Sequence, residues 1–155
     1  MSVSTRIRRT AVALSVAAVA GAAGMSAAPA DAAVGSPSGK LTVGPFSPGY
    51  HNVAVFGTVP MSRAEAQNLV NSGHRIQLRL WGEDTFSDDM LIGPYYATLV
   101  PTDKGLEFHK VLLQIDDDRL NEDWGTDELY VGMRLTKSNG STIRSGRTNV
   151  VRGDY

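Results

Sequence analysis

Residues 75–81 read Arg-Ile-Gln-Leu-Arg-Leu-Trp, an alternation of polar and apolar side chains with a period of two. Successive side chains of a β-strand point to opposite faces of its sheet, so this segment is predicted to bury Ile76, Leu78 and Leu80 in a core. The polar residues between them, together with Trp81, then face outward. The segment is therefore predicted to be a half-buried strand with one face in water.

The same alternation recurs along the chain, at residues 53–59, 111–115 and 129–135, and further strands are predicted at 41–43, 91–100 and 142–151. Gly, Pro, Asn and Asp turns separate these segments, about seven in all, which favours an antiparallel β-sandwich. The predicted fold class is all-β. In this interpretation Val111 and Ile115 face the core, and His109 falls in phase with them, so it is expected to be partly buried.

One helix is predicted to interrupt the strands. Ser62 is followed three residues later by Glu65, which is the capping-box spacing, and apolar residues such as Leu69 and Val70 continue with helical periodicity. Gly73 is expected to end the helix. Because it links two predicted strands, we expect this helix to cover one open end of the sandwich.

The first 32 residues have the features of a secretory signal peptide. Arginines at positions 6, 8 and 9 precede an uncharged run at 11–24 and a stretch of small residues, so cleavage is predicted after Ala32, with Ala30 almost as suitable. The paired Arg8 and Arg9 leave open whether export uses the twin-arginine or the general secretory route. The predicted location is extracellular.

Residues 33–39 are small and turn-prone and are predicted to form a flexible segment before a single domain at 40–155. No later stretch has the roughly 20 apolar residues of a transmembrane helix, so no transmembrane anchor is expected. The chain contains no Cys. An exported domain without disulfides depends on core packing, and a stabilising metal ion is therefore worth testing for.

The chain contains an internal repeat of acidic segments. Residues 83–93 align without gaps with residues 122–132, with four identical positions, and each copy places four carboxylates within seven residues. Asp116, Asp117 and Asp118 add three more carboxylates before the second copy. The repeated unit is a strand, an acidic loop and a second strand.

Crowded carboxylates repel one another unless water screens them or a cation neutralises them. Ca²⁺ accepts six to eight oxygen ligands in flexible geometry, which loops between strands can supply. The predicted Ca²⁺ ligands are Glu83, Asp84, Asp88, Asp89, Asp116, Asp118, Glu122, Asp123, Asp127 and Glu128. The alternative is that these segments are solubilising turns. No stretch has the EF-hand spacing.

The segment Trp-Gly-Glu-Asp-Thr-Phe-Ser-Asp-Asp-Met-Leu-Ile-Gly at 81–93 resembles a calcium loop of C2 domains, in which an aromatic strand end precedes spaced aspartates and a turn into Ile-Gly. Residues 115–118 followed by 127–129 look similar, with extra residues between them. The resemblance covers these two loops only, and it departs at Gly82, where that family usually has Asp. It implies a calcium-loaded end of the sandwich.

Aromatic residues near the acidic loops are candidates for contacting a ligand, because they offer large contact area at low entropic cost. The predicted ligand-binding residues are Trp81, Phe86, Trp124 and Tyr95. The alternative is that each closes the end of the core. Arg75 and Arg79, which point outward on one strand, are interpreted as a solvated face that pairs with acids.

The sequence lacks the enzyme signatures that are easiest to recognise: a Cys nucleophile, H-E-x-x-H, G-x-S-x-G and a phosphate-binding glycine loop. The basic residues are too few and too scattered for nucleic-acid binding, and the net charge is −1. We therefore expect a secreted, non-catalytic, calcium-binding β-sandwich module that recognises an extracellular glycan or protein near its acidic loops. The alternatives are a carbohydrate-binding module or lectin, and a small secreted hydrolase or protease inhibitor. The oligomeric state stays open.

Overall fold

A computed structural model describes residues 34–84, 87–121 and 126–155, in which nine strands and one α-helix occur. The elements are β1 (Ser38–Ser47), β2 (Tyr50–Val59), α1 (Arg63–Asn71), β3 (Arg75–Gly82), β4 (Asp89–Tyr96), β5 (Thr98–Thr102), β6 (Gly105–Asp116), β7 (Asp127–Thr136), β8 (Thr142–Arg147) and β9 (Val151–Gly153). A single 3-10 turn, Asp117–Arg119, follows β6.

The strands form two antiparallel sheets. Sheet A has the order β1-β2-β6-β5, and sheet B has the order β4-β3-β7-β8, with β9 paired to the first residues of β7. The prediction of an all-β, sandwich-like fold with antiparallel sheets is confirmed. The strand number differs from the predicted seven because two predicted segments are each divided. The segment at 91–100 passes from sheet B to sheet A at Ala97, and the segment at 142–151 becomes β8 and β9.

The core lies between the inward faces of the two sheets. On β3 the alternation is as predicted, because Ile76, Leu78 and Leu80 are buried while the residues between them are partly exposed. On the opposite sheet the ring of Phe108 lies directly against Gly57, where it leaves no room for a Cβ atom. Burial of apolar surface is the main stabilising contribution in this Cys-free domain, at roughly 25 cal/mol per Å².

The predicted phase of β6 is wrong over most of the strand. Leu106 and Phe108 are buried, whereas His109 and Val111 point outward and are exposed. Ile115 nevertheless packs against the core. The inward-facing positions change from even to odd numbers between Phe108 and Ile115. The change occurs because the pairing of β6 with β2 shifts register near the end of β6, where Gln114 adopts a positive φ of 58°.

The helix α1 begins as predicted. Ser62 is its N-cap: the Ser62 hydroxyl accepts a hydrogen bond from the backbone N–H of Glu65 at 3.2 Å, and the Glu65 carboxylate accepts one from the backbone N–H of Ser62 at 2.8 Å. Gly73, with φ of 74°, follows its last turn. The helix buries Ala66 and contacts β5 and β6. It lies between the end of β2 and the start of β3, and so at the end of the sandwich where β6 begins.

Residues 34–37, part of the segment that the sequence analysis interpreted as flexible, lie against the domain. The backbone N–H of Gly35 donates to the carbonyl of Pro60 at 3.0 Å, Val34 packs against the core, and Pro37 is buried. Within the described ranges, none of the helices is both long and apolar enough to cross a membrane.

Candidate functional site

The described parts of the two copies of the acidic repeat lie at the same end of sheet B. Strand β3 ends at Gly82, which is paired with Leu129 near the start of β7 on one side and with Asp89 at the start of β4 on the other. The backbone N–H of Glu83 donates a hydrogen bond to the carbonyl of Glu128 at 2.6 Å. The described parts of both acidic segments therefore meet at one end of the sandwich, which we call the acidic end.

The third acidic segment, at the end of β6, also lies at the acidic end. His51 Nδ1 is 2.7 Å from Asp117 Oδ1, and the His51 ring lies edge-on to the ring of Tyr155 at 5.3 Å. Burial, and then the charge of nearby Asp127, raise the pKa of Tyr155. Tyr155 follows β9, whose Gly153 is paired with Asp127, and it contacts His51, so it lies between the Asp117 segment of sheet A and the first residue of β7 in sheet B.

Most described carboxylates at the acidic end have protein partners. Glu83 pairs with Arg147 at 2.8 Å, Glu128 pairs with Arg152 at 3.0 Å, and Asp88 accepts a hydrogen bond from Tyr130. The side chain of Asp116 accepts from the backbone N–H of Asp118 at 3.1 Å, and Asp127 is buried. These contacts offset part of the repulsion between the carboxylates, which a metal ion was predicted to neutralise.

The ten predicted metal ligands are thus divided. Eight lie on segments that the structure brings to the acidic end, whereas Glu122 and Asp123 lie outside the described residues. Among the residues that the structure does describe, no three His, Asp or Glu side chains are arranged to hold a metal ion.

A row of three side chains crosses the outer face of sheet B beside the acidic end. Trp81 on β3 and Tyr130 on β7 are direct cross-strand partners with nearly parallel rings, 6.5 Å apart and inclined by 10°. The guanidinium of Arg147 on β8 lies 5.3 Å from the centre of the Tyr130 ring. Because β7 lies between β3 and β8, the Tyr130 ring is flanked on both sides, and only 9% of Tyr130 is exposed.

The hydroxyl group at the end of the Tyr130 side chain is held by a hydrogen bond. It donates a hydrogen bond of 2.6 Å to Asp88 Oδ2. Burial, followed by the hydrogen bond to Asp88, raises the pKa of Tyr130 to about 12. The first acidic loop therefore fixes two members of the row, Tyr130 through Asp88 and Arg147 through Glu83.

Gly132 creates a depression next to the row. Its position on β7 faces outward, and a Cβ atom there would lie 3.0 Å from the indole Nε1 of Trp81. Gly132 lines an open cavity of about 390 Å³. We call this cavity the groove; the side chains around it include Gln77, Arg79, Trp81, Tyr130, Arg134 and Arg147.

The interpretation of Arg75 and Arg79 as partners of acids is wrong for the described part of the chain, where neither forms an ion pair. The guanidinium of Arg75 lies 4.9 Å from the centre of the Tyr96 ring, outside the groove. Arg79 lies opposite Gly132 in the β3–β7 pairing and lines the groove. Its Nε atom is buried and has no hydrogen-bond partner among the described residues.

The predicted ligand-binding aromatics do not form one cluster in the described structure. Trp81 points outward, as its strand phase predicts, and lines the groove. Tyr95 instead lines a small apolar cavity on the core side, where Lys110 Nζ is 5.7 Å from its ring. Phe86 and Trp124 lie outside the described residues.

Sequence reasoning missed Tyr130, Gly132 and Arg134 as site residues. The alternation of 129–135 already places these three residues on the outer face, so the strand phase could have identified them. Arg147 could not have been found in this way, because it joins the row only through the pairing of β8 with β7.

Searches of protein-family models, curated proteins and solved structures give no match to this chain. They add no support to the resemblance between the acidic loops and C2 domains. A functional assignment therefore depends on the geometry of the groove and of the acidic end.

Proposed function

We propose that this protein is an exported, non-catalytic module that binds carbohydrate in the groove on the outer face of sheet B. The observation that carries the proposal is the row of Trp81, Tyr130 and Arg147 beside the depression at Gly132. Aromatic rings supply apolar contact area for the C–H faces of a sugar, and planar polar side chains bond to its hydroxyl groups. The groove combines both kinds of group.

The groove is also held in place before a ligand arrives. Its side chains project from paired strands rather than from loops, and a rigid site loses less conformational entropy on binding. Asp88 and Glu83 fix Tyr130 and Arg147 from the acidic end. In this proposal the first acidic loop positions the recognition surface.

Export is supported by the signal-peptide features of residues 1–32. The non-catalytic role is supported by the composition of the groove. Glycoside hydrolysis generally uses a pair of carboxyl groups about 5 to 10 Å apart across the sugar. Of the described residues that line the groove, none carries a carboxylate.

The test is glycan binding by the unmodified mature protein, first on an array and then by isothermal titration calorimetry. Trp81→Ala is expected to weaken binding at least about tenfold, because it removes one wall of the groove. Phe56→Ala is the matched control, since Phe56 is an exposed aromatic residue on the outer face of sheet A. Wild-type affinity in Trp81→Ala, or an array without any binding, would contradict the proposal.

A second candidate function is Ca²⁺ binding at the acidic end, and the convergence of the three acidic segments favours it. Carboxylates from separate loops can supply the six to eight oxygens that Ca²⁺ accepts. The ion would neutralise the charges that the protein's own partners leave in place. It would also stabilise the loop whose Glu83 and Asp88 hold Arg147 and Tyr130.

Thermal unfolding with added Ca²⁺ tests this second candidate. With a Kd of about 10⁻⁴ M, typical of extracellular sites, millimolar Ca²⁺ is expected to add roughly 1.4 kcal/mol and to raise the Tm by several degrees. The double variant Asp84→Asn, Asp123→Asn should lose the shift. Asp103→Asn is the control, because Asp103 is an exposed acid in the turn before β6, away from the acidic end. An unchanged Tm in the wild-type protein at low salt would exclude the site.

A further inference from the structure

The groove is rich in hydrogen-bond donors and poor in acceptors. Arg79, Arg134 and Arg147 carry guanidinium groups that only donate, and the indole Nε1 of Trp81, next to Gly132, also only donates. The amide of Gln77 is one of the few acceptors among the described lining side chains. A ligand that satisfies this surface must therefore bring acceptors in excess.

Arg79 is the donor that most needs a partner. Its Nε atom is buried and makes no hydrogen bond to any described residue. Most buried donors in folded proteins are paired, because desolvating a donor without a partner costs free energy. Arg79 lies opposite Gly132 and lines the groove, so its guanidinium is next to any ligand bound there.

The positive charge of the groove is only partly neutralised. Arg147 pairs with Glu83, but within the described residues Arg79 and Arg134 form no ion pair. This positive charge is local, because the whole chain has a net charge of −1. Clefts lined by one sign of charge concentrate ligands of the opposite sign.

We propose that the ligand of the groove is an acidic glycan, whose sugar units carry carboxylate groups. This inference rests on the proposed carbohydrate-binding function and specifies its ligand class. A carboxylate matches the planar donor fork of an arginine, as in bidentate arginine–carboxylate pairs. The C–H face of the same sugar contacts Trp81. A ligand with charges spaced by whole sugar units also tolerates the neighbouring acidic end better than a densely charged polymer does.

The experiment is calorimetric titration of the mature protein with pairs of probes that differ only in charge. Oligogalacturonate is compared with its methyl ester, and oligomannuronate and hyaluronan oligosaccharides with their esters. We expect an acidic probe to bind at least about tenfold more tightly than its ester, and this affinity to fall as salt rises. Such a result identifies the carboxylate, rather than the sugar alone, as the recognised group.

Two variants locate the binding of that acidic probe. Arg79→Met keeps the length of the side chain but removes the guanidinium, and it should reduce the affinity to that of the ester. Arg75→Met is its control on the same strand, because Arg75 lies over Tyr96 and outside the groove. Gly132→Val narrows the groove beside Trp81 without removing a charge and should weaken binding of both probes, whereas Gly44→Val, at a site with open space, should not.

The outcomes separate the two proposals. If neutral glycans and esters bind as tightly as the acids, and Trp81→Ala still weakens binding, the acidic-glycan inference is wrong and the groove remains a glycan site. If no glycan of either kind binds, the proposed function fails as well. Tighter binding of heparin than of any carboxylated probe would assign the groove to sulfate groups instead. Equal affinity for single-stranded DNA would show general binding of polyanions, and it too would overturn the inference.

Discussion

The outer faces of the two sheets are built in the same way but carry different side chains. Both consist of the outward residues of alternating strands, and both carry an open depression, of about 390 Å³ on sheet B and about 440 Å³ on sheet A. Arginines and a tightly flanked aromatic row surround the depression on sheet B. The strands of sheet A carry no arginine, and their exposed side chains include apolar ones, with Phe56 52%, Val111 45% and Val100 42% exposed.

A depression alone does not define a site. Phe56 on sheet A stacks on His109, at 6.3 Å, and more than half of Phe56 is in contact with solvent. Tyr130 on sheet B is instead flanked by Trp81 and Arg147 and bonded to Asp88, so that only 9% of it is exposed. Preorganised donors and rings, rather than cavity volume, distinguish the two faces.

The largest expected effect separates the inner from the outer face of β3. Leu80→Ala removes a side chain that is 3% exposed and should lower the free energy of unfolding by about 2–5 kcal/mol. Trp81→Ala, one residue further on, should cost much less stability but weaken glycan binding at least about tenfold. Urea unfolding with unchanged m-values measures the first effect, and calorimetry measures the second. If Trp81→Ala destabilises the protein as much as Leu80→Ala, Trp81 is mainly a structural residue.

A pair of glycine substitutions compares the inner face of sheet A with the outer face of sheet B. Gly57→Ala places a Cβ against the Phe108 ring and the Ser38 carbonyl, and the overpacking should cost about 1–3 kcal/mol. Gly132→Ala places a Cβ 3.0 Å from Trp81 Nε1, a contact with a half-buried side chain beside the open groove and not with backbone atoms or a buried ring. Its cost should therefore be smaller. Equal losses of stability in the two variants would mean that the groove is packed as tightly as the core.

The strand phase of β3 and the capping box of α1 were predictable because both depend on local sequence periods. The phase of β6 was not predictable. A bulge at the end of β6, with Gln114 at φ of 58°, returns Ile115 to the core. An alternation extended backwards from Ile115 therefore places His109 and Val111 on the wrong face. One extra residue in a strand moves all the residues beyond it to the opposite face.

The candidate site was predictable only in part, for a related reason. Trp81 and the acidic segments can be read from the chain, but the row requires side chains from three strands that are adjacent only after the sheet forms. The convergence of the acidic segments likewise follows from the antiparallel pairing of β3 with β7. Neither the flanking of Tyr130 nor the position of Arg147 leaves a pattern in any single segment.

Part of the alkaline pH dependence of stability should come from Tyr130 in the row on sheet B, and Tyr155, whose pKa is also raised, should contribute in the same direction. The pKa of Tyr130 is raised from 10.0 to about 12, so the native state holds a proton that the unfolded state has lost above pH 10. Stability therefore falls as the pH rises from 10 to 12, and this contribution is fully present below pH 10. Across that pH range the free energy of unfolding should fall more steeply for the wild type than for Tyr130→Phe.

Absorbance at 295 nm measures the tyrosine ionisation directly. The difference between the wild type and Tyr130→Phe isolates Tyr130 from the other tyrosines. Asp88→Asn removes the charge that opposes ionisation and should move the midpoint back towards 10. An unchanged midpoint in Asp88→Asn would mean that burial alone controls this group. The first acidic loop would then not hold the row in the way we describe.

The smallest expected effect is on the outer face of sheet A. Val111→Thr keeps the β-branched shape on an exposed strand position, and the free energy of unfolding should change by no more than about 0.5 kcal/mol. Glycan affinity should stay at the wild-type value, because Val111 lies on the sheet opposite the groove. A loss of affinity in this variant would mean that the apolar face contributes to recognition. The contrast in chemistry between the two faces would then describe two parts of one binding surface, and the assignment of the ligand to sheet B alone would be wrong.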